Sequence, residues 1–457
     1  MEDKTMKKVF GIAALLLALA ACNKVETEIT PVEQPSDSKG ITITATLAPK
    51  TADTKAVADG GDKITVTWAQ NEHIGILYEV DETKYSADAE IISVDDEGTA
   101  TIQFTVVDGT PDNTACTLVY PYSAAKDDKS GVKDAATLLS AQDGTLNANL
   151  DVRVGEGTIR TTTPGLDVTT QPAAQFAIFK FTLSGPSIDA THPLVIKDNA
   201  SNKTITTVTP ASTVTSVYVA MPAAASKAYK FVVTTADNKY IKSGTATIAA
   251  GNYYQTTLSM TTPRYPLALS SATADDLGAV VNSDGTLSVE KAAAPSGKTA
   301  VGILGKVSST GYGLILALQD APSQNWNTIN SWESVTTYAD TKLKLLPDEA
   351  RGSLKGYFWL GVFADIPVSN WCVAQKSDYE AIFVNLGSTK GDEYGTTYDA
   401  NVNAYITGVG GTEMDDSYWS ATEYYEYGGW YAWGFHSNSW VNYYTTGSDS
   451  VRPVLAF

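Results

Sequence analysis

The chain of 457 residues carries a formal net charge of −19 and contains only three histidines. This acidic balance argues against a nucleic-acid partner, because the phosphate backbone requires a basic surface. His73, His192 and His436 are far apart and show no metal-ligand spacing, and no phosphate loop or nucleophile elbow is present. The sequence therefore predicts no enzyme, metal or cofactor, while its length allows two or three hydrophobic cores.

The first residues have the pattern of an export signal. A basic start at residues 6–8 precedes an apolar run of 13 residues, 9–21. This run is too short to span a bilayer, which takes about 20 residues, but is typical of a signal peptide. Leu19-Ala20-Ala21-Cys22 resembles the lipid-attachment motif of bacterial lipoproteins. It implies a signal peptide over residues 1–21, acylation of Cys22 and anchoring in the outer membrane. The alternatives are an ordinary signal peptide that contains a cysteine, or an inert apolar segment.

Two β-rich units are predicted after the signal peptide. Residues 22–40 are polar with two prolines, which indicates a tether. From Ile41 onward, short runs alternate apolar residues with threonine and other polar residues, and turn residues separate them. This pattern predicts antiparallel β-sandwiches. A loop-rich stretch, residues 155–172, is expected to divide them into units of residues 41–167 and 168–262.

A second boundary is expected at residues 261–264, where the composition changes. Most tryptophans lie beyond it, and residues 332–345 and 377–386 show apolar residues at helical spacing. Ser377 followed by Glu380 has the spacing of a capping box. Residues 264–457 are therefore predicted to form an α+β unit, and the whole chain is predicted to be multi-domain and mainly β.

Aromatic side chains are concentrated near the end of the sequence. From Tyr418 to Tyr444, 12 of 27 residues are Tyr, Trp or Phe. Trp419 and Trp433 are predicted to be core residues, whereas the tyrosines before Gly428-Gly429 predict an exposed loop. Tyr and Trp offer large, rigid contact surfaces for sugar rings or protein loops. The residues expected to bind such a ligand are Tyr424, Tyr425, Tyr427, Trp430 and Trp440. The alternative is that these rings fill a core.

The other residues with metal or thiol chemistry are assigned structural roles. Asp399, Asn401 and Asn403 alternate as the first ligands of a calcium loop do, but the glycine and glutamate that complete an EF-hand are missing. Cys116 and Cys372 lie in different predicted units, so we expect two free, buried thiols.

A series of strand motifs occurs in order between residues 40 and 260. They are Thr65-Val66-Thr67-Trp68, residues 74–78, 118–122, 176–183 and 250–258. Together they resemble the fimbrillin-like lipoproteins of Bacteroides and its relatives, although Asn71-Glu72-His73 stands where that family more often has Gly-Asp. The resemblance implies transthyretin-like β-sandwiches and assembly into a type V pilus.

The same resemblance implies a maturation step. A trypsin-like protease would remove the first strand, residues 41–47, by cutting at Lys50 or Lys55. A strand of a neighbouring pilin subunit would then take its place by β-augmentation. The alternative is that the strand stays uncut in an intact sandwich.

A second group of motifs lies in residues 264–457. Ser417 to Glu423, residues 432–435 and Val451-Arg452-Pro453-Val454 resemble the bacterial C-type-lectin-like domains of surface lipoproteins and adhesins. The Trp-Arg-Leu-Pro stretch of that family is replaced here by Trp371-Cys372-Val373-Ala374.

Both resemblances together imply the tip subunit and adhesin of a pilus, with a glycan or protein as its ligand. The final strand, residues 451–457, is expected to close a folded domain, so that the chain accepts a strand but donates none. The alternative function is a non-polymerising surface lipoprotein that binds a glycan or protein ligand.

Overall fold

The computed structural model describes residues 40–50, 67–308, 312–336, 342–347, 350, 362–363, 366–367, 371–389, 391–392, 395–414, 417–426, 429–436 and 439–457. Within these ranges the chain is mainly β and builds several sheets, which confirms the predicted multi-domain β-sandwich fold class. No helix of the described residues is long and apolar enough to cross a membrane. The predicted sites at Cys22, Lys55 and Tyr427 lie outside these ranges.

The first sheet is seven-stranded and runs in the order β1-β4-β3-β2-β5-β7-β8. Helix α1 (Ala135–Leu139) and the short strand β6 lie between β5 and β7, and β6 belongs to a different sheet. The strand bounds are β1 (Ile41–Leu47), β2 (His73–Val80), β3 (Thr83–Val94), β4 (Ala100–Val106), β5 (Thr114–Tyr120), β6 (Ala141–Gln142), β7 (Arg153–Arg160) and β8 (Gly165–Ala174).

This sheet curves until its two edges approach each other. β1 and β8 are the edge strands, yet they lie side by side in space, and the Ala48 amide donates to Oε1 of Gln171 at 3.3 Å. The inward side chains of both halves form one buried core, which includes Ile43, Ile76 and Ile102. The first unit is therefore a sandwich made by folding a single sheet.

The stretch predicted to be a loop-rich seam, residues 155–172, is instead a hairpin of β7 and β8. The predicted boundary at residues 167 and 168 falls inside β8. Gly155 explains why the segment looks like a loop in sequence: a Cβ there would meet the Thr170 carbonyl oxygen at 2.6 Å. Glycine is required here by close strand approach and not by a turn.

The second unit is a sandwich of two sheets around a separate core. One sheet runs β14-β13-β10-β11-β6 and the other β12-β9-β15. The strand bounds are β9 (Phe176–Ser184), β10 (Leu194–Asp198), β11 (Thr204–Val208), β12 (Ser216–Pro222), β13 (Ala224–Thr234), β14 (Lys239–Ile248) and β15 (Tyr253–Ser259). A further buried cluster, with Leu77, Val119, Phe176 and Ala220, joins the outer face of the first sheet to this unit.

The third unit combines a nine-stranded sheet, β16-β18-β17-β19-β20-β33-β26-β23-β22, with a five-stranded sheet, β21-β32-β29-β30-β31. Two pairs, β24-β25 and β27-β28, stand apart, and α3 and α4 pack near β19. The bounds are β16 (Leu267–Ala268), β17 (Val280–Asn282), β18 (Thr286–Ser288), β19 (Ala300–Val307), β20 (Gly313–Ala317), β21 (Ala321–Asn325), α2 (Trp326–Ser331), β22 (Ser334–Thr336), β23 (Lys342–Leu345), β24 (Val362–Phe363), β25 (Ile366–Pro367), β26 (Cys372–Val373), α3 (Lys376–Asn385), β27 (Gly391–Asp392), β28 (Gly395–Thr396), α4 (Ala400–Thr407), β29 (Tyr418–Glu426), β30 (Gly429–Phe435), β31 (Trp440–Tyr444), β32 (Ser448–Val451) and β33 (Val454–Ala456).

Of the two helices predicted in this unit, one is correct. Residues 377–386 correspond to α3, but its N-cap is Gln375 and makes no side-chain cap bond. The Lys376 amide instead donates to Oγ1 of Thr422 at 2.8 Å, so a neighbouring strand satisfies the helix start. The helix predicted over residues 332–345 is wrong, because that segment contains the paired strands β22 and β23.

Candidate functional site

Strand β1 occupies one edge of the first sheet and fills part of its core. All 7 of its residues pair antiparallel with β4, from Ile41 opposite Val106 to Leu47 opposite Ala100. Ile43, Ala45 and Leu47 point inward and are buried, whereas the threonines between them are exposed. Removal of β1 would uncover the unpaired edge of β4 and a row of apolar pockets, which is the geometry that accepts an added strand.

The chain that leaves β1 is held by Lys50, whose side chain is only 1% exposed. Its ammonium lies 3.3 Å from Oδ2 of Asp151 and 3.6 Å from Oε2 of Glu72. The same nitrogen lies 3.7 Å from the ring centre of Tyr120 and 4.3 Å from that of Trp68. We call Trp68, Glu72, Tyr120 and Asp151 the Lys50 clamp. Two carboxylates and two aromatic rings offset much of the cost of burying the charge.

Hydrogen bonds fix the members of the Lys50 clamp. The Tyr120 hydroxyl donates to Glu72 at 2.6 Å, and Nε1 of Trp68 donates to the Ala48 carbonyl at 2.9 Å. Asp151 also pairs with the buried guanidinium of Arg153 at 2.9 Å. Burial lowers the pKa of Lys50, and the Coulombic attraction of Asp151 and Glu72 opposes this shift. Just after β1, the clamp therefore holds the main chain at Ala48 and the side chain of Lys50.

Lys50 and Lys55 were both predicted cut sites, and the structure bears on the first only. A trypsin-like protease must take the lysine side chain into its own pocket, but the side chain of Lys50 is enclosed by the clamp. Cleavage at Lys50 would thus require the clamp to open first. Lys55 lies outside the described residues, so cleavage there stays a prediction.

The predicted aromatic surface is organised by strand register. The segment predicted to be a loop is largely a hairpin of β29 and β30, in which Tyr425 stands opposite Trp430. Tyr424, Tyr431 and Tyr444 occupy one rung across β29, β30 and β31. We call these three residues the tyrosine row.

The rings of the tyrosine row lie on one face of the five-stranded sheet. Tyr424 and Tyr431 have ring centres 6.4 Å apart, and Tyr431 and Tyr444 are 5.1 Å apart. Trp433, which was predicted to be core, is only partly buried and lies 5.4 Å from Tyr424. The ammonium of Lys376 sits 4.9 Å from the Trp433 ring. The ring planes are tilted against one another by 39–58°, so the tyrosine row, with this tryptophan and lysine beside it, forms an uneven aromatic platform that offers contact area to a ligand.

Exposure separates the aromatic residues of this region into two groups. Tyr444 is 71% exposed and Tyr425 is 59% exposed, which is unusual for rings of this size. Trp440, by contrast, is fully buried; it packs against Phe435, and its indole donates to the Thr396 carbonyl at 3.0 Å. The prediction of Trp440 as a ligand-binding residue is therefore wrong. The pairing register could not be read from the sequence, so Tyr431 was missed.

The residues considered for metal chemistry have structural roles. Asp399 caps α4 by accepting from the Asn401 amide at 2.8 Å, and Asn403 bonds to the main chain of Met414. Among the described residues, no group of three or more His, Cys, Asp or Glu side chains could hold a metal ion. Cys116 and Cys372 are buried and are not joined in a disulfide, as predicted.

Strand β33 is an interior strand of the third unit. It pairs with β20 on one side and with β26 on the other. Arg452, just before it, is completely buried, pairs with Asp320 at 2.7 Å and donates to the Thr412 carbonyl at 2.9 Å. This strand cannot leave without breaking hydrogen bonds on both sides and exposing a buried ion pair.

Comparison with known proteins gives structural matches only. No family model matches the chain, and no curated protein is similar to it. Similar solved structures include a fimbrial protein from Bacteroides ovatus, with 12% identity, a TM-score of 0.26, and coverage of 92% of this chain and 100% of that one. A putative cell adhesion protein from Bacteroides uniformis has 16% identity and a TM-score of 0.27, covering 50% of this chain and 96% of that one. A fimbrial assembly protein from Parabacteroides distasonis has 15% identity and a TM-score of 0.28, covering 50% and 94%.

Proposed function

We propose that this chain is a lipid-anchored cell-surface pilin that accepts a strand from a neighbouring subunit in place of β1. Its third unit acts as an adhesin that binds a glycan or protein ligand through the tyrosine row. In the proposed order of events, Cys22 is acylated and the precursor reaches the outer membrane. The chain is then cut near Lys55, loses β1 and joins a pilus at its tip.

The observation that carries this proposal is the placement of β1. Among the described strands it pairs with β4 alone, at the edge of the sheet, yet its side chains fill the core. A segment outside the described residues, 51–66, follows Lys50, so a single cut there would separate β1 from the rest of the sandwich. The main-chain edge and the side-chain pockets that remain are those that an extended segment needs.

The position at the tip is supported by β33. A subunit in the middle of a fibre must give a strand as well as receive one. β33 lies between β20 and β26, so this strand itself is not available for exchange in this fold. In the tyrosine row of the same unit, Tyr444 is exposed and Tyr424 and Tyr431 are partly exposed, which supports a role of this surface in adhesion.

Proteolysis tests the strand-removal step. Limited digestion of the purified protein with a lysine-specific protease is expected to produce a new N-terminus at Ala56. No terminus is expected at Thr51, because the clamp encloses Lys50. The matched variants Lys55→Gln and Lys50→Gln should abolish and preserve this cut, respectively. Absence of any cut between residues 48 and 58 would contradict the proposal.

Cell fractionation tests location and assembly. The wild-type chain is expected in sheared surface fibres, whereas Lys55→Gln should leave it in the membrane fraction. Cys22→Ser should remove it from the membrane fraction without changing the fold, because residue 22 lies in the predicted tether. A chain that is never found in fibres would contradict the assignment to a pilus.

Ligand binding is tested on glycan and protein arrays. Tyr431→Ala and Tyr444→Ala should each weaken binding, because each removes one ring of the platform. Tyr312→Ala is the matched control, since Tyr312 is 50% exposed and lies outside the tyrosine row. Equal binding by all three variants would exclude the row as the binding surface.

A second function is favoured by the clamp itself. A buried Lys50 that ties β1 to two carboxylates is also what an intact, uncut sandwich would contain. In that case the chain is a non-polymerising surface lipoprotein that captures its ligand for the cell. Stable retention of residues 40–50 in protein isolated from the cell surface would support this function over the first.

A further inference from the structure

The site occupied by Lys50 does not leave with β1. If β1 is removed, the lysine goes with it, whereas the carboxylates of Glu72 and Asp151 and the rings of Trp68 and Tyr120 stay on the remaining sandwich. Of the described residues, Arg153 is then the cation that remains in contact with this pair of carboxylates, through Asp151. A vacated, partly buried site with an excess of negative charge and two π faces is selective for a cation.

We propose that this site selects the incoming subunit: the strand that replaces β1 carries a lysine or arginine at the position of Lys50. This inference rests on the proposed strand exchange and specifies the chemistry of the partner. The negative charge of the clamp then distinguishes one donor strand from another, together with the row of apolar pockets that β1 leaves. Buried charges have the same effect at other selective interfaces.

The geometry of β1 fixes the spacing of the expected donor motif. Ile43, Ala45 and Leu47 fill successive inward positions, and Lys50 reaches the clamp three residues later. The Ala48 carbonyl is held by the Trp68 indole, so the chain path between the last pocket and the clamp is defined. A donor running in the direction of β1 should therefore have apolar residues at alternate positions and a cation three residues after the last of them.

Aromatic and acidic members of the clamp act on the cation in different ways. The Tyr120 ring lies 3.7 Å from the ammonium, and its hydroxyl is engaged by Glu72. Asp151 keeps Arg153 as a second cationic partner when Lys50 is absent, whereas the cationic partner of Glu72 in the clamp is Lys50 itself. Neutralising Glu72 should accordingly reduce the preference for a cationic donor without abolishing strand binding.

Peptide exchange on the cut protein tests the inference. A recognition site for a sequence-specific protease is inserted after Lys55 in the purified protein, the chain is cut there, and a labelled peptide of residues 40–52 is added in excess under mild denaturant. A second peptide carries Lys50→Met, which keeps the length of the side chain and removes its charge. We expect the lysine peptide to be bound at least about tenfold more tightly, measured by fluorescence anisotropy.

Two controls separate the clamp from general attraction to an acidic protein. A peptide with Thr44→Lys and Lys50→Met has the original charge at an exposed position of β1 and should bind as weakly as the Met peptide. In protein with Glu72→Gln, the preference for the lysine peptide should fall by about threefold or more, as a double-mutant cycle measures.

Each outcome distinguishes the inference from the function on which it rests. Equal affinity for the Lys and Met peptides would overturn the cation preference and leave strand exchange in place. Recovery of affinity by the Thr44→Lys, Lys50→Met peptide would also overturn it. Failure of every peptide to enter the cut protein would overturn strand exchange itself, and the preference with it.

Discussion

The ammonium of Lys50 lies 3.7 Å from the ring centre of Tyr120, and the Lys50 side chain is only 1% exposed. This contact couples the first strand of the sandwich to its fifth strand, which ends at Tyr120. Sequence neighbours of Lys50 contribute little to the site, because its partners come from residues 68, 72, 120 and 151. The pair is therefore a long-range link that holds an edge strand in place.

Replacing Lys50 with Met should destabilise the first unit. The substitution removes the ammonium and leaves Glu72 and Asp151 with less compensation, at a cost of about 1–3 kcal/mol. Amide hydrogen exchange of β1 measures this effect directly, and exchange should accelerate there before it does in the second unit. Lys242→Met, at an exposed position of β14, is the matched control and should change stability by no more than about 0.5 kcal/mol. Equal protection of β1 in both variants would contradict the role of the clamp.

Trp440 and Tyr444 should respond in opposite ways to truncation, although they lie in the same short strand. Trp440→Ala removes a fully buried indole and its hydrogen bond to Thr396, which should cost about 3–5 kcal/mol. Tyr444→Ala removes a ring that is 71% exposed and should cost far less. Chemical denaturation of the two variants checks this difference. A large loss of stability in Tyr444→Ala would identify the tyrosine row as a packing surface.

The sequence predicted those features that depend on local pattern. Alternation over residues 41–47 predicted β1 and its buried face, and helical spacing predicted α3. The segment 332–345 was predicted incorrectly because apolar residues in a short run fit a helix and a pair of strands equally well. Local pattern thus identified a strand or helix correctly when the run of patterned residues was long or strictly alternating.

Features that depend on contacts distant in sequence could not be predicted. Trp440 was expected at the surface because it lies among tyrosines. It does share a face of β31 with Tyr444, but Phe435 and the Thr396 carbonyl cover that end of the strand. Alternation along a strand separates its two faces, but it does not indicate where along a face other segments of the chain pack. Lys50 likewise reads as an exposed basic residue until Asp151 is placed beside it.

Cys116 should resist alkylation in the folded protein. Burial raises the pKa of its thiol to about 12, so almost no thiolate is present at neutral pH. Treatment with iodoacetamide at pH 8 should leave Cys116 unmodified, and modification should appear after denaturation. Peptide mass spectrometry identifies the site and distinguishes it from Cys372. Alkylation of Cys116 in folded protein at the rate of an exposed cysteine would contradict the buried position.

Stability of the third unit should depend on pH through Asp276, which is fully buried and forms two hydrogen bonds with Arg264, at 2.8 and 2.6 Å. Burial acts to raise the pKa of Asp276, but Arg264 and the Thr273 amide outweigh it and hold the pKa below its usual value. The folded state therefore binds fewer protons than the unfolded state between the two pKa values. Stability from this pair is present above an unfolded pKa of about 3.9 and is lost as the pH falls through the folded value.

Asp276→Asn should accordingly destabilise the protein by about 1–3 kcal/mol at pH 7, because it leaves the Arg264 guanidinium without its carboxylate. The difference from wild type should shrink as the pH is lowered below about 4, because the carboxyl is then protonated first in the unfolded state and, at lower pH, in the folded state as well. Urea unfolding at pH 7, 5 and 3 measures both effects. Asp237→Asn, at an exposed position, is the matched control and should show no such convergence. A destabilisation by Asp276→Asn that is the same at pH 7 and pH 3 would show that the residue acts by hydrogen-bond geometry and not by its charge.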